Sequence, residues 1–311
     1  MSELNPTTGE LDLTAPSSSG FIEGAKFIQQ NSTFPTGTGV FNAFLGVQPD
    51  GNQARDPTEA GYNTDTAPNA AEQFLDMKPG AHTNSLLLAD VPIVTVDGVK
   101  YREFWLDLNE SQARSVGASD PQISLNALKI FLTADPGITG FNAAPTGPGG
   151  AVTGALDFGS RAALVYNMDS ATQNNWVALT TRHDTGGGHA DLRVLIPNEM
   201  FANARYADGG GPNVVLYSEF GAQGGETFRV NSGFEEWGLH GAGGGDIARP
   251  NPNVTVTLDD VTVKENQAIT YTASVNNAPA DRLLGDAVQR RGDQLCGRLP
   301  DGFFGAAGPA G

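Results

Sequence analysis

The sequence predicts an all-β protein, an antiparallel β-sandwich followed by the start of a second β domain, and three observations carry that expectation. The stretch Ser85 to Glu110, SLLLADVPIVTVDGVKYREFWLDLNE, holds two runs rich in Val, Ile, Leu, Tyr and Trp around Asp97-Gly98, a dipeptide suited to the positive φ angles of a tight hairpin turn. Runs of the same kind recur at Ala162 to Met168, Asn175 to Thr181, Ala190 to Ile196 and Val214 to Phe220, at sandwich-like spacing. The 40 Gly and only 18 Lys plus Arg in 311 residues suit short strands joined by many turns.

Taken in order, residues 1 to 20 are polar, carry Pro6, Pro16 and a Ser17-Ser18-Ser19-Gly20 run, and read as a flexible arm. Structure is expected from Phe21, where FIEGAKFI and GVFNAFLGV, broken by Pro35 and Gly37-Thr38-Gly39, suit two strands and a turn. Residues 49 to 84 are rich in turn formers, with Gly61-Tyr62-Asn63-Thr64-Asp65 the most distinctive motif, and a loop of that length suggests a role. In the hairpin, Tyr101, Glu103, Trp105 and Asp107 alternate with Arg102, Phe104, Leu106 and Leu108. The Phe104, Leu106, Leu108 face is therefore expected to point at a core, in a half-buried sheet.

Ile123 to Thr133 reads as a strand over Lys129 to Thr133, with a helical turn as the other reading of its start; a Gly- and Pro-rich loop follows from Asp135 to Thr153. Pro197 suits the start of a short helix over Asn198 to Ala204. Phe234 to Leu239 reads as the last strand of a main domain spanning residues 21 to 240, with Trp237 in its core. A Gly/Pro linker follows over 241 to 252. Beyond it Val254, Val256 and Leu258 alternate, as do Ile269, Tyr271 and Ala273, giving a partial second domain over 253 to 280. Jelly-roll and immunoglobulin-like strand orders are both open for the main sandwich.

The run TLDDVTVKENQAITYTASVNNAP resembles the opening strands of the immunoglobulin-like and Calx-beta-like repeats strung along large bacterial surface adhesins. GYNTD, YREFWLDLNE, VVLYSEFG and SGFEEWGL together resemble recurring motifs of a bacterial surface or exported β-sandwich region. That second resemblance covers roughly residues 21 to 240 and transfers no catalytic residue.

From Asp281 to Gly311 the text DRLLGDAVQRRGDQLCGRLPDGFFGAAGPAG contains no Ile, Thr, Ser or Tyr. Joining the last two bases of each codon to the first of the next permits, for a suitable codon choice, TDCSVTLSNGAAINFAAG, another hairpin with a Ser-Asn-Gly turn. The expectation is a frameshift near Ala280 that truncates a longer repeat protein. The alternative is a native tail in which Leu283, Leu284, Ala287, Val288 and Arg291 form a loose amphipathic helix. Two or three strands alone leave apolar edges exposed, so residues 253 to 311 are expected to be disordered or loosely docked.

A net charge of -17 opposes binding to nucleic acid or an anionic membrane and favours bound cations. The single Cys296 excludes an internal disulfide. No stretch reaches the roughly 18 to 20 apolar residues of a membrane span, so no membrane insertion is expected. The start, MSELNPTTGELDLTAP, lacks the basic and apolar segments of a Sec signal peptide. Such a start fits a cytoplasmic protein, and equally export directed by a C-terminal signal.

Two residue sets are candidates for chemistry. Calcium takes carboxylate and amide oxygens from loops, and Asp107, Asn109 and Glu110 at the end of the central strand, with Asp65 from the GYNTD loop, offer them. Their alternative role is to cap a turn and pair with an Arg. The second set is the loop RHDTGGGHAD, where His183, Asp184, His189 and Asp191 form a ligand set suited to zinc or copper, or else are solvated loop residues. Walker A, H-E-x-x-H and G-x-S-x-G patterns are absent from the sequence. Glu235-Glu236 falls on opposite faces of a strand, so the two cannot line one glycosidase cleft.

The leading functional expectation is a non-enzymatic, secreted or cell-surface structural or adhesive protein, stabilised by calcium and forming the N-terminal part of a longer repeat adhesin. Its partners are cell-surface or matrix components, glycans among them. A truncated form lacking its export signal would be cytoplasmic. The alternative is a carbohydrate-binding sandwich with exposed Trp105, Trp176 or Tyr62 as stacking platforms. The third is a metal-dependent hydrolase built on the His183 to Asp191 loop.

Overall fold

The computed structural model describes residues 1–30, 41–48, 58–66, 75–78, 82–109, 121–144, 153–183, 190–202, 212–221, 223–230, 233, 235–240, 256–258 and 273–275. It divides into one unit of Met1–Gly244 and a second of Gly245–Gly311, a boundary inside the linker expected from composition.

The strands of the first unit are β1 (Glu10–Asp12), β2 (Ser19–Ile22), β3 (Ala25–Gln29), β4 (Phe41–Val47), β5 (Glu59–Tyr62), β6 (Leu86–Leu87), β7 (Ile93–Val96) and β8 (Val99–Asp107). They continue as β9 (Gln122–Thr133), β10 (Phe141–Ala144), β11 (Thr153–Leu156), β12 (Ala162–Asn167), β13 (Trp176–Thr180), β14 (Leu192–Pro197), β15 (Asn213–Phe220) and β16 (Glu235–His240). Short 3-10 turns are the only helical elements among the described residues, one of them at Asn198–Phe201 directly after Pro197. No described helix is long and apolar enough to cross a membrane. Two hairpins turn in the same way. Asp97 (φ 51°) and Gly98 (φ 81°) join β7 to β8, and Glu23 (φ 46°) and Gly24 (φ 83°) join β2 to β3, the paired positive φ values that match strand twist.

The strands form two seven-stranded sheets. The first has the order β1-β13-β9-β15-β5, with β12 pairing a further stretch of β9 and β6 a further stretch of β15. The second runs β2-β3-β14-β8-β16-β4, with β7 beside β8. β1 lies parallel to β13; the other ladders of these two sheets are antiparallel. Hydrogen bonds cross between the layers. Trp237 on β16 is fully buried and its Nε1 donates to Ser218 Oγ on β15 at 3.0 Å, and Gln29 Nε2 on β3 donates to the Thr180 carbonyl on β13 at 3.0 Å. A separate ladder, β10 with β11, leads to Phe158, whose ring meets Tyr62 and Phe131 edge-on at 5.6 and 5.2 Å.

Two expectations change, and of two open readings one is settled. Residues 1 to 20 are no loose arm, because β1 joins β13 and both Leu11 and Leu13 are fully buried. Gly20 makes room for Leu11: any side chain there would collide with the Leu11 methyl groups. Two leucines in a polar stretch were enough to seal an edge. The start of β9 is strand and not helix, since Gln122 to Leu125 pair with β13 and Leu125 onward with β15. Finally, β8 is not half-buried. Phe104, Leu106 and Leu108 are buried as expected, but so are Tyr101, Glu103, Trp105 and Asp107, and the Glu103 carboxylate is compensated by an ion pair with Arg193 on β14.

The GYNTD motif is a latch in this fold. Asn63 fills the gap between β5 and β6 along β15, its Oδ1 accepting from the Leu216 N–H at 2.7 Å and its Nδ2 donating to the Val214 carbonyl at 2.9 Å. Thr64 Oγ1 donates to the Ile138 carbonyl at 2.9 Å.

In the second unit β17 (Val256–Leu258) pairs antiparallel with β18 (Ala273–Val275), within the expected partial repeat. The tail 281 to 311, where the frameshift expectation falls, lies outside the described residues.

Candidate functional site

Along β15 side chains alternate, and Ser218 bonds Trp237 of the opposite sheet, so Tyr217 and Glu219 face outward. There they help line a groove of about 250 Å³, with Asn126, Lys129, Asp169, Asn174 and Gln223 supplying its other polar groups. A β-bulge shapes it. Glu219 pairs with Ala127 and Phe220 with Leu125, which leaves Asn126 as the extra residue and re-aims its side chain. Asn126 Nδ2 donates to the Gly221 carbonyl at 2.7 Å and, less closely, to Glu219 Oε1 at 3.4 Å. Tyr217 OH donates to Glu219 Oε2 at 3.3 Å.

Electrostatics set the roles of these groups. Burial, reinforced by the Glu219 charge, raises the Tyr217 phenol well above its ordinary value, so it is a neutral donor. Burial also raises the Asp169 carboxyl, partly offset by the Asn175 N–H and Lys129; the Asn175 N–H donates to Asp169 Oδ1 at 3.0 Å. The groove thus mixes amides that donate and accept, carboxylates that accept, and an ammonium that donates. Its described lining holds no Ser, Thr, Cys or His.

At one end of the interior a second cluster forms. Glu59 on β5 shares a face with Gly61, which packs so closely on Val47 that a Cβ would collide with its Cγ1. Val47 on β4 is the register partner of Glu235 on β16. The Glu59 and Glu235 carboxyl groups therefore meet across the two sheets, within hydrogen-bonding reach of each other, and are 1 % and 0 % exposed. Burial raises the Glu235 carboxyl above its ordinary range, and the Asn109 N–H, which points toward it, works the other way. Gly233 (φ 94°) presses against the Asn109 backbone and positions the start of β16. Glu236, on the opposite face, pairs with His82 at 2.9 Å near the surface, as the alternation of Glu235-Glu236 required.

The residues singled out in the sequence are placed differently. Asp65 accepts from the Ser85 N–H and hydroxyl at 2.6 and 2.9 Å in the loop after β5, whereas Asp107 is buried at the end of β8 in the other sheet. Asn109 lies beside Glu235, and Glu110 lies outside the described residues. His183 Nε2 contacts the Thr14 carbonyl at 2.9 Å. Asp191 is buried and its Oδ2 accepts from the Leu108 N–H at 2.8 Å, a structural bond. Asp184 and His189 lie outside the described residues. No group of three or more His, Cys, Asp or Glu suited to a metal occurs among the described residues. Trp105, Trp176 and Tyr62, expected as exposed stacking platforms, are 3 %, 4 % and 0 % exposed; Trp105 stacks on His240 at 4.5 Å and Trp176 meets Phe228 edge-on at 5.5 Å.

Sequence reasoning missed the groove and Glu59. Neither has a local signature, since Asn126, Asp169 and Glu219 come from three separate segments and Glu59 sits in a turn-rich stretch. Comparison with known proteins finds no matching family model, no similar curated protein and no matching solved structure.

Proposed function

We propose that this protein is a non-enzymatic adhesive β-sandwich of the cell surface or its exterior, and that it holds a neutral glycan in the groove across β9 and β15. The observation that carries the reading is the lining itself. Sugar hydroxyls donate and accept at once, and the Asn126, Asn174 and Gln223 amides, the Asp169 and Glu219 carboxyls and Lys129 offer both partners on a rigid sheet. The resemblance of residues 253 to 280 to adhesin repeats supports a surface role, with cell-surface or matrix components as partners.

The groove is below the roughly 300 to 1,000 Å³ of drug-sized ligand sites, so it suits one terminal sugar rather than a long chain. Hydrogen bonds contribute about 0.5 to 1.5 kcal/mol net each. With no exposed stacking ring among the described lining residues, binding is expected at about 0.1 to 1 mM. The test is a glycan array read with the full chain, followed by calorimetry on the best sugar with Asn174→Ala and Gln223→Ala, two groove residues. Both variants should lose binding while keeping their thermal midpoint. A chain that binds no glycan, or variants that bind as the parent does, would overturn the reading.

A further inference from the structure

The register of three strands fixes the order of groups in the groove. Lys129 on β9 is the partner of Asn167 on β12 and of Tyr217 on β15, both strands running antiparallel to β9, and Glu219 pairs with Ala127. Past the end of β12 the Met168 N–H still donates to the Leu128 carbonyl at 2.9 Å. Leu128 and Met168 are both fully buried, so their neighbours point outward, and Asp169 and Glu219 fall level with Ala127, one on each side. The small Ala127 side chain is the floor between two carboxyl groups, with Lys129 one step along the same face. Burial raises the Asp169 carboxyl, and Lys129 is near enough to work against it. Even so, Lys129 forms no ion pair or hydrogen bond among the described residues. Asp169 Oδ1 accepts from the Asn175 N–H at 3.0 Å, which leaves Oδ2 open.

We propose that the sugar held in the groove carries an acetamido group, and that Lys129, Asp169 and Leu156 select it; this rests on the glycan reading above. A cation and an anion that stand apart on one face offer a donor and an acceptor with a gap between them. The secondary amide of an acetamido group is planar and trans, so its N–H and C=O point in opposite directions, and it spans such a gap. The Lys129 ammonium donates to the acetamido carbonyl, and Asp169 Oδ2 accepts from its N–H. Hydrogen bonds to charged partners are the stronger kind. A hydroxyl also donates and accepts, but from one oxygen, and does not bridge groups set apart in this way. Leu156, half-buried, is the one aliphatic side chain larger than Ala127 in the described lining, and it gives the acetamido methyl an apolar contact. A carboxylate sugar would suit Lys129 but would face both Asp169 and Glu219.

The experiment is calorimetric titration of the full chain with N-acetylglucosamine against glucose and with N-acetylgalactosamine against galactose, in the parent protein, Lys129→Met and Leu156→Ala. The parent should bind at least one acetamido sugar about tenfold or more tightly than its hydroxyl counterpart. Lys129→Met should bring the two to within about twofold, and Leu156→Ala should shrink the preference by about threefold, the loss of one methyl contact. Both variants should keep the parent's thermal midpoint, since Lys129 bonds no described residue and Leu156 is only half-buried. Equal binding of acetamido and plain sugars by the parent would overturn this inference and leave the glycan reading standing. A preference that survives intact in both variants would place the recognition elsewhere and overturn it too. Binding of neither kind would overturn it as well, and the glycan array then shows whether the groove takes another sugar or none.

Discussion

Replacing Asn63 with Ala should be among the most costly single changes outside the apolar core. Asn63 is 1 % exposed and substitutes for a strand residue along β15, bonding the Leu216 N–H at 2.7 Å and the Val214 carbonyl at 2.9 Å. Its further contact, to the Asn84 carbonyl at 3.3 Å, is weaker. Truncation leaves one buried donor and one buried acceptor without a partner, at about 1 to 3 kcal/mol each. The sum, about 2 to 6 kcal/mol, is a large share of the roughly 5 to 15 kcal/mol that stabilises a typical domain. Urea unfolding followed by Trp fluorescence reports it directly, because Trp105, Trp176 and Trp237 are all buried in the first unit. Amide exchange at Leu216 should accelerate in the same variant. Asn63→Asp is the companion: it keeps the acceptor for Leu216 but sets an oxygen against the Val214 carbonyl, so it should be destabilised at neutral pH and partly recover in acid, when a protonated carboxyl can donate. A loss below about 1 kcal/mol in Asn63→Ala, with the denaturant slope unchanged, would refute the latch.

Further outcomes follow from the same geometry. Gly98→Ala and Gly233→Ala both place a side chain at positive φ, but a Cβ at Gly98 meets nothing within 4 Å whereas one at Gly233 strikes the Asn109 carbonyl; the first should cost about 1 kcal/mol and the second distinctly more, read from urea midpoints. Glu235 has its folded pKa raised above 4.5 by burial, so its contribution is fully present below about pH 4.5 and is lost as pH rises through the folded value. Subtracting the stability profile of Glu235→Gln from that of the parent should isolate this fall, and a flat difference would contradict it. The coding DNA beyond codon 280, read in the alternative frame, should stay open and spell alternating β-strand repeats; early stop codons there would make the tail native and remove a main support for a repeat adhesin.

The placement of strands was legible because it is local. Alternation with a period of two and Asp97-Gly98 at a turn depend on near neighbours, and β7, β8, β14, β15 and β16 follow from them. The N-terminal strand was not legible, since its signal is two leucines whose burial depends on β13 and on Gly20. The aromatic residues misled for the same reason: Trp105 and Trp176 fit the outside of a strand pattern, but neighbouring rings cover them.

From its sequence alone the protein was bound to be an antiparallel β structure, acidic, without an internal disulfide, and divided by a linker over 241 to 252. Only the tertiary structure decided which polar residues share a site. Asn126, Asp169 and Glu219 converge because β15 lies against β9 with a bulge at that point, and Glu59 reaches Glu235 because β5, at the edge of the first sheet, packs on β4, whose Val47 is the register partner of Glu235. Hydrophobic alternation tells each strand which side to bury, but the choice of partner strand is made by long-range pairing and packing that no short window of residues contains.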